Sequence, residues 1–171
     1  MSQVRFISDL HLGHKSICEF SGPQRGGVST VEDHDQWIVN QWNSVVQKND
    51  LVWILGDVCF DADKLSLLKK MKGNKHLILG NHDKFSISLY SQYFNKIHGF
   101  LKYKGFWISH APINSAELRG KLNIHGHVHN NSVDDFRYIN VCVEAVQGKP
   151  IAFSEILEIS ALRREQYEKS K

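Results

Sequence analysis

Apolar residues follow two rhythms along this chain. Between about Thr30 and Lys48 they recur at Ile38, Trp42, Val45 and Val46, the 3.6-residue spacing of a helix that lays one face on a sheet. Ser29 and Glu32 stand ahead of that stripe at the spacing of a capping box, which predicts the helix start there. A second helix is expected from Asp61 or Ala62 to Lys72, closed by Gly73. The other rhythm is a set of short β-rich runs, "VRFI", "LVWIL", "HLIL", "FWIS", "KLNI" and "YINVCV", which predict strands. Within "KYKGFW" the pair Lys104-Gly105 predicts a hairpin turn. Strands alternate with helices early and follow one another later, so a layered sheet with helices outside is expected. "SGPQRGGVST", Ser21 to Thr30, reads as a Gly- and Pro-rich loop. "SEILEISALRREQYEKSK" begins as a helix and is expected to fray into a charged tail over about 158–171.

The polar residues that follow the strands carry more information than the strands. "VRFI" runs into Ser8-Asp9-Leu10-His11, "LVWIL" into Gly56-Asp57, and "HLIL" into Gly80-Asn81-His82-Asp83. "FWI" runs into Ser109-His110, and "KLNI" into the turn that holds Gly126, His127 and His129. In open α/β sheets ligands bind outside the carboxyl ends of the strands, so these five ends can converge on one crevice. They bring Asp9, His11, Asp57, Asn81, His110, His127 and His129 together, with His82 beside them. Carboxylate, imidazole and amide donors without thiolate suit a borderline or hard divalent cation. Seven donors exceed one tetrahedral zinc and fit two ions sharing a carboxylate, the arrangement used in phosphoryl hydrolysis. The alternation of His125, His127 and His129 then has a reason: His127 and His129 reach two neighbouring ions, and Gly126 lets the backbone approach closely. His125 reads as framework rather than ligand, and His34, His76 and His98 as surface or core.

Composition narrows the class. The chain has 171 residues with 42% hydrophobic and 23% charged positions, which suits one globular domain, 1–171, with a real core. A net charge of +3 is compatible with a phosphate-bearing ligand and too small for a surface that coats nucleic acid. Cys18, Cys59 and Cys142 are odd in number and form no C-x-x-C pair, which reads as reduced thiols. No secretory leader or run of membrane-span length is evident, so a cytoplasmic protein is expected. The tryptophans Trp37, Trp42, Trp53 and Trp107 fall on helix and strand patterns and are expected in the core.

Taken in order, "SDLHLGH", "LGD", "LGNHD", "SHAP" and "HGHVH" resemble the motifs of the calcineurin-like metallophosphoesterase family, especially its short, cap-less bacterial and viral members. The resemblance runs from about Val4 to Leu157. It implies an α/β protein, a four-layer α/β/β/α sandwich of two mixed sheets flanked by helices, with the site at one edge. It also implies that Asp9, His11 and His129 hold a first divalent ion, that Asn81, His110 and His127 hold a second, and that Asp57 bridges. His82 would contact the phosphate or protonate the leaving group. The expected chemistry is hydrolysis of a phosphate ester by a metal-bound water, on a small phosphodiester such as a cyclic nucleotide. Mn²⁺ is the expected metal, with Fe, Zn²⁺, Ni²⁺ or Co²⁺ as alternatives. A phosphomonoesterase or nuclease on the same site is the alternative within enzymes, and a non-catalytic scaffold of the same fold the alternative outside them. His14, Lys15 and Arg25 are candidates for contacts to a substrate phosphate. One departure from the pattern is Val58-Cys59-Phe60 after Gly56-Asp57, where many members carry a further polar residue.

Overall fold

The computed structural model describes residues 2–171. Nine strands occur in chain order: β1 (Val4–Ile7), β2 (Leu51–Ile54), β3 (Asn74–Ile78), β4 (Lys96–His98), β5 (Leu101–Tyr103), β6 (Phe106–Ile108), β7 (Leu122–His125), β8 (Tyr138–Asn140) and β9 (Ile151–Ala152). They form two mixed sheets, β4-β3-β2-β1-β9 and β5-β6-β7-β8. Strands β1 to β4 are mutually parallel with β9 antiparallel to β1, while β5 is antiparallel to the parallel set β6, β7 and β8. The helices are α1 (Ile17–Ser21), α2 (Val31–Val45), α3 (Ile87–Tyr90) and α4 (Phe153–Lys169). Two mixed sheets flanked by helices are the expected α/β fold. Among the described residues no helix is long and apolar enough to cross a membrane.

Period-2 alternation explains the core. Ile7, Val52 and Ile54 belong to a buried cluster with Ile38, Val39 and Trp42 of α2, whereas Phe6, Trp53 and Leu55 belong to another with Ile108, Ile124 and Ile139 of the second sheet. The central strands of the first sheet are therefore apolar on both faces, as buried parallel strands must be. Trp42 and Trp53 are buried in these clusters, and Trp37 and Trp107 are half-buried.

Several local expectations shift. Helix α2 is capped by Thr30, whose Oγ1 accepts from Asp33 N at 3.1 Å, not by Ser29 with Glu32. Thr30 and Asp33 repeat the same spacing one residue later, and the sequence does not separate the two frames. The expected second helix is a 3₁₀ helix, Ala62–Lys70, ending at Met71. Part of the 21–30 loop is a 3₁₀ turn, Gly22–Arg25. Strands β4 and β9, three and two residues long, carry too little pattern to be read. The hairpin at Lys104-Gly105 forms as expected, with both residues at positive φ. Helix α4 runs through the charged C-terminal tail as far as Lys169. Ion pairs Arg164–Glu168 and Glu165–Lys169 on its exposed face each add about 0.3–0.5 kcal/mol of local support.

The sheets are tied together where the site lies. Ser8 N donates to Val141 O at 2.9 Å and Val143 N to Ser8 O at 3.0 Å, so the chain leaving β8 is stitched to the chain leaving β1.

Candidate metal centre

All five polar strand ends converge. Asp9 and His11 follow β1, Asp57 follows β2, Asn81 and His82 follow β3, His110 follows β6, and His127 and His129 follow β7. The turns that carry them are tight. Among the described residues eight non-glycine positions have positive φ, and five of these are Asp9, His11, Asp57, His127 and His129. The left-handed region disfavours side chains, Asp and His less than most, and such backbone collects at functional sites. Two glycines are imposed by crowding. A Cβ at Gly126 would collide with Ser8 Oγ and Asp9 Oδ2, and one at Gly56 would sit 2.5 Å from His110 Nδ1. His125 ends strand β7 with its ring buried and its Nδ1 against Gly126 O at 2.9 Å. The alternating histidines thus do not share one strand face, since His127 and His129 lie beyond the strand.

Two groups emerge, Asp9 with His11 and His129, and Asp57 with His110 and His127, each with its donor atoms within 4.8 Å of one another. In the first, Asp9 Oδ2 accepts from His127 N at 2.9 Å and from the Cys142 thiol at 3.2 Å. Asp9 Oδ1 and His11 Nε2, 3.7 Å apart, are buried without any hydrogen-bond partner. A buried lone pair left unmatched costs about 1–3 kcal/mol. His129 Nδ1 donates to Glu144 Oε1 at 3.0 Å, which turns Nε2 toward Asp9 Oδ1 at 3.8 Å. In the second group His110 Nδ1 donates to Leu55 O at 2.7 Å, which turns Nε2 toward the other members. That atom stands 2.8 Å from Asn81 Oδ1, 3.2 Å from His127 Nδ1 and 3.5 Å from Asp57 Oδ2. A carboxylate, an amide oxygen and two imidazole nitrogens gathered this closely are a donor set that fits a divalent cation.

The surroundings keep Asp9 and His11 in the form a metal needs, whereas the hydrogen bond to Glu144 raises the His129 pKa above its ordinary value. Burial lowers the His11 pKa to about 4, against the pull of Asp9. Burial, followed by the charges of His11 and His82, lowers His14 to about 4. Burial alone would raise the Asp9 carboxyl, yet His11, His110, Ser8 and the His127 N–H hold it well below the ordinary range.

The remaining expected residues divide. His14 stacks on Phe60 with ring centroids 4.0 Å apart, and its Nδ1 lies 3.0 Å from His11 Nδ1. Lys15 is exposed on the same turn. His82 has its N–H on Asp57 Oδ1 at 2.9 Å and its ring beside Phe60. Arg25 is not in the cleft. It is fully buried behind Asp9, with Nη2 on Glu144 Oε1 at 2.7 Å and on Asp9 O at 2.8 Å, and Nη1 on Leu10 O at 3.2 Å. A guanidinium so occupied holds the Asp9 turn rather than a substrate phosphate. His34, also buried, accepts from Arg25 and meets Asp35 Oδ1 at 3.1 Å.

Two carboxylates that carry the site received no role from the reading of the sequence. Glu144 joins Arg25 to His129. Burial would raise its carboxyl, but the His129 hydrogen bond and the Arg25 charge bring it down to about 2. Asp83 clasps the second and third strand ends, accepting from Asp57 N, Val58 N, Gly80 N and Tyr90 Oη at 2.8–3.2 Å. Asp83 was visible as the last letter of "LGNHD". Glu144 had no signal, because its partner Arg25 lies 119 positions away. At the departure after Gly56-Asp57, Val58 and Cys59 are buried, and Phe60 stacks on His11 at 4.9 Å. Asp83 supplies the support expected from a polar residue there. The three cysteines are free thiols.

Comparison with known proteins agrees with this geometry. An uncharacterized protein of Methanocaldococcus jannaschii is 31% identical over 93% of this chain and 92% of its own length. The Gene 66 protein of Mycobacterium phage L5 is 44% identical over 48% of this chain and 41% of its own. The crystal structure of a protein of unknown function from Aquifex aeolicus superposes with a TM-score of 0.74 and 28% identity, covering 93% of this chain and all of that one. The family model described as Calcineurin-like phosphoesterase matches residues 3–161. With that match over nearly the whole chain and two groups of residues suited to divalent ions, this metal-dependent phosphoesterase belongs to the calcineurin-like phosphoesterase family.

Proposed function

We propose that the protein hydrolyses small phosphodiesters, cyclic nucleotides among them, with two divalent ions that share Asp57. The observation that carries this reading is the position of one atom. Asp57 Oδ2 stands 3.8 Å from His11 Nε2 of the first group and 3.5 Å from His110 Nε2 of the second. Asp9, His11 and His129 would hold one ion, and Asn81, His110 and His127 the other. When bound, the ions supply the Lewis-acid charge and the activated water that ester hydrolysis requires. The donor set of carboxylate, imidazole and amide atoms supports Mn²⁺, with Fe, Zn²⁺, Ni²⁺ or Co²⁺ as alternatives.

The chain's own residues do the rest. Asp57 Oδ1 fixes the His82 backbone, leaving the imidazole free to give a proton to the departing oxygen. Asn81 and His127 are exposed, so the second group opens to a substrate from the surface. That openness supports a diester over a monoester reading. In this reading Asn81, His14 and Lys15 would contact the phosphate. The free cysteines support a reducing, cytoplasmic setting.

The test is turnover by chelator-stripped and Mn²⁺-reloaded protein on p-nitrophenyl phosphate, bis-p-nitrophenyl phosphate and 2′,3′- and 3′,5′-cyclic nucleotides. Metal-dependent cleavage with diesters preferred is expected. Faster cleavage of the monoester would reassign the substrate class, and full activity in metal-free protein would overturn the mechanism.

A further inference from the structure

Beside the second metal group lies a cavity of about 450 Å³, within the range of about 300–1,000 Å³ typical of small-ligand sites. Asn81, His110 and His127 line it together with the apolar residues Leu79, Phe100, Ala111 and Ile113. Ser109 also borders it, but its hydroxyl donates to Ala111 O at 2.7 Å and accepts from Asn123 Nδ2 at 2.9 Å. Apart from Asn81, His110 and His127, the lining side chains therefore offer carbon and no free hydrogen-bonding group.

Phe100 is the unusual member. It is 57% exposed, where a phenylalanine normally gains by burial. It follows Gly99 in the short link between β4 and β5, where the chain crosses from the first sheet to the second. That link is held at the site, since Leu79 N donates to His98 O at 2.9 Å. The Phe100 ring leans on Trp107, centroids 5.3 Å apart at 31°, and Trp107 is itself fixed by Nε1 to Leu118 O at 3.3 Å. An aromatic platform is thus set in place before any ligand arrives.

We propose that this cavity is a subsite for a planar aromatic ring of the phosphate ester, an aryl group or a nucleobase, and that Phe100 is its specificity-determining residue. The inference rests on the proposed phosphoesterase site and adds the chemistry of the substrate's organic part. The cavity shares Asn81, His110 and His127 with the metal group, so a phosphate held there would leave its substituent beside the apolar lining. Walls of carbon bind a ring by stacking and apolar contact rather than by its hydrogen-bonding edge. Different nucleobases should therefore be accepted with little discrimination.

The experiment compares two phosphonates of equal charge that differ by the ring, phenylphosphonate and methylphosphonate, titrated calorimetrically into Mn²⁺-loaded protein. Base stacking on a single aromatic side chain accounts for about tenfold or more in affinity. Wild-type protein should bind phenylphosphonate about tenfold more tightly than methylphosphonate. Phe100→Ala should abolish that advantage while leaving methylphosphonate affinity and metal content unchanged, and Phe100→Tyr should retain it. Equal binding of the two anions by wild type, or a ring advantage that survives Phe100→Ala, would overturn the subsite and leave the metal site standing. Failure of both anions to bind metal-loaded wild type would overturn both proposals.

Discussion

The two ends of the first sheet hold buried aspartates in opposite circumstances. Ahead of β2, Asp50 accepts from Gln3 N at 2.8 Å, Gln47 N at 3.0 Å and Arg5 Nε at 3.2 Å. At the other end Asp9 Oδ1 has no hydrogen-bond partner and lies 3.7 Å from the equally unpartnered His11 Nε2. Both carboxylates are buried, yet one is satisfied within the chain and the other is left for something the chain does not supply. The first arrangement stabilises the fold, whereas the second lowers stability until a cation arrives. Loss of function and loss of stability should therefore separate along the length of these strands.

Asp57→Asn should have the largest effect. It keeps the Oδ1 that accepts from His82 N and removes the charge that faces both groups. Activity should fall by more than about 100-fold, beyond the 10–100-fold that loss of an outer hydrogen-bond partner costs, while metal-free stability is unchanged or higher. Unfolding and turnover measured on the same preparation check this, and a loss of stability in step with activity would erase the contrast.

His82→Ala should come next. General acid help is worth about 10²- to 10⁴-fold, and a nitrophenolate needs little of it. The variant should keep its metals and lose about 100-fold on a nucleotide ester but far less on a nitrophenyl ester. Equal losses on both would make His82 a stabiliser of the phosphoryl oxygens instead.

Glu144→Ala sharpens the comparison within the site, because Glu144 stands behind the first group alone. Removing it leaves Arg25 a buried, unpaired charge, which costs about 3–5 kcal/mol. Metal affinity of the first group should fall about 10–100-fold with the second less affected. Denaturant unfolding and metal titration report the two effects, and an unchanged first-ion affinity would remove Glu144 from the account.

Asp50→Ala should have the smallest effect and the opposite signature, a stability loss of about 1–3 kcal/mol from orphaned donors with activity intact. Burial alone would raise the Asp50 carboxyl, but the N–H groups of Gln47 and Gln3 and the Arg5 side chain lower it. A carboxyl lowered by folding stabilises above its unfolded pKa, and the contribution fades as pH drops through the folded value. The stability gap between wild type and Asp50→Ala should accordingly narrow toward acid pH in urea titrations. A gap that widens there would reverse the sign.

The contrast between the ends also explains what could be read from the chain. Strand ends announce themselves because a β-rich run followed at once by Asp, Asn or His is a local pattern, and the six residues of the two groups were legible in this way. Arg25 looked like a phosphate contact because its sequence neighbours are loop residues, and its burial depends on Glu144, far along the chain. The positive φ of Asp9, His11, Asp57, His127 and His129 leaves no composition signal, since only glycine advertises it. Phe100 carries no signal in the sequence, and only the crossing between the sheets sets it beside the site. Local chemistry is written in the sequence, whereas what stands behind and beside it comes from long-range packing.

The most direct test of a shared Asp57 is Mn²⁺ titration of chelator-stripped protein, followed by metal analysis and electron paramagnetic resonance. Two ions per chain with a spin-coupled spectrum are predicted, because one carboxylate joins them, and Asp57→Asn should abolish the coupling. A single tightly held ion, or two ions with uncoupled spectra in the wild type, would contradict the paired centre.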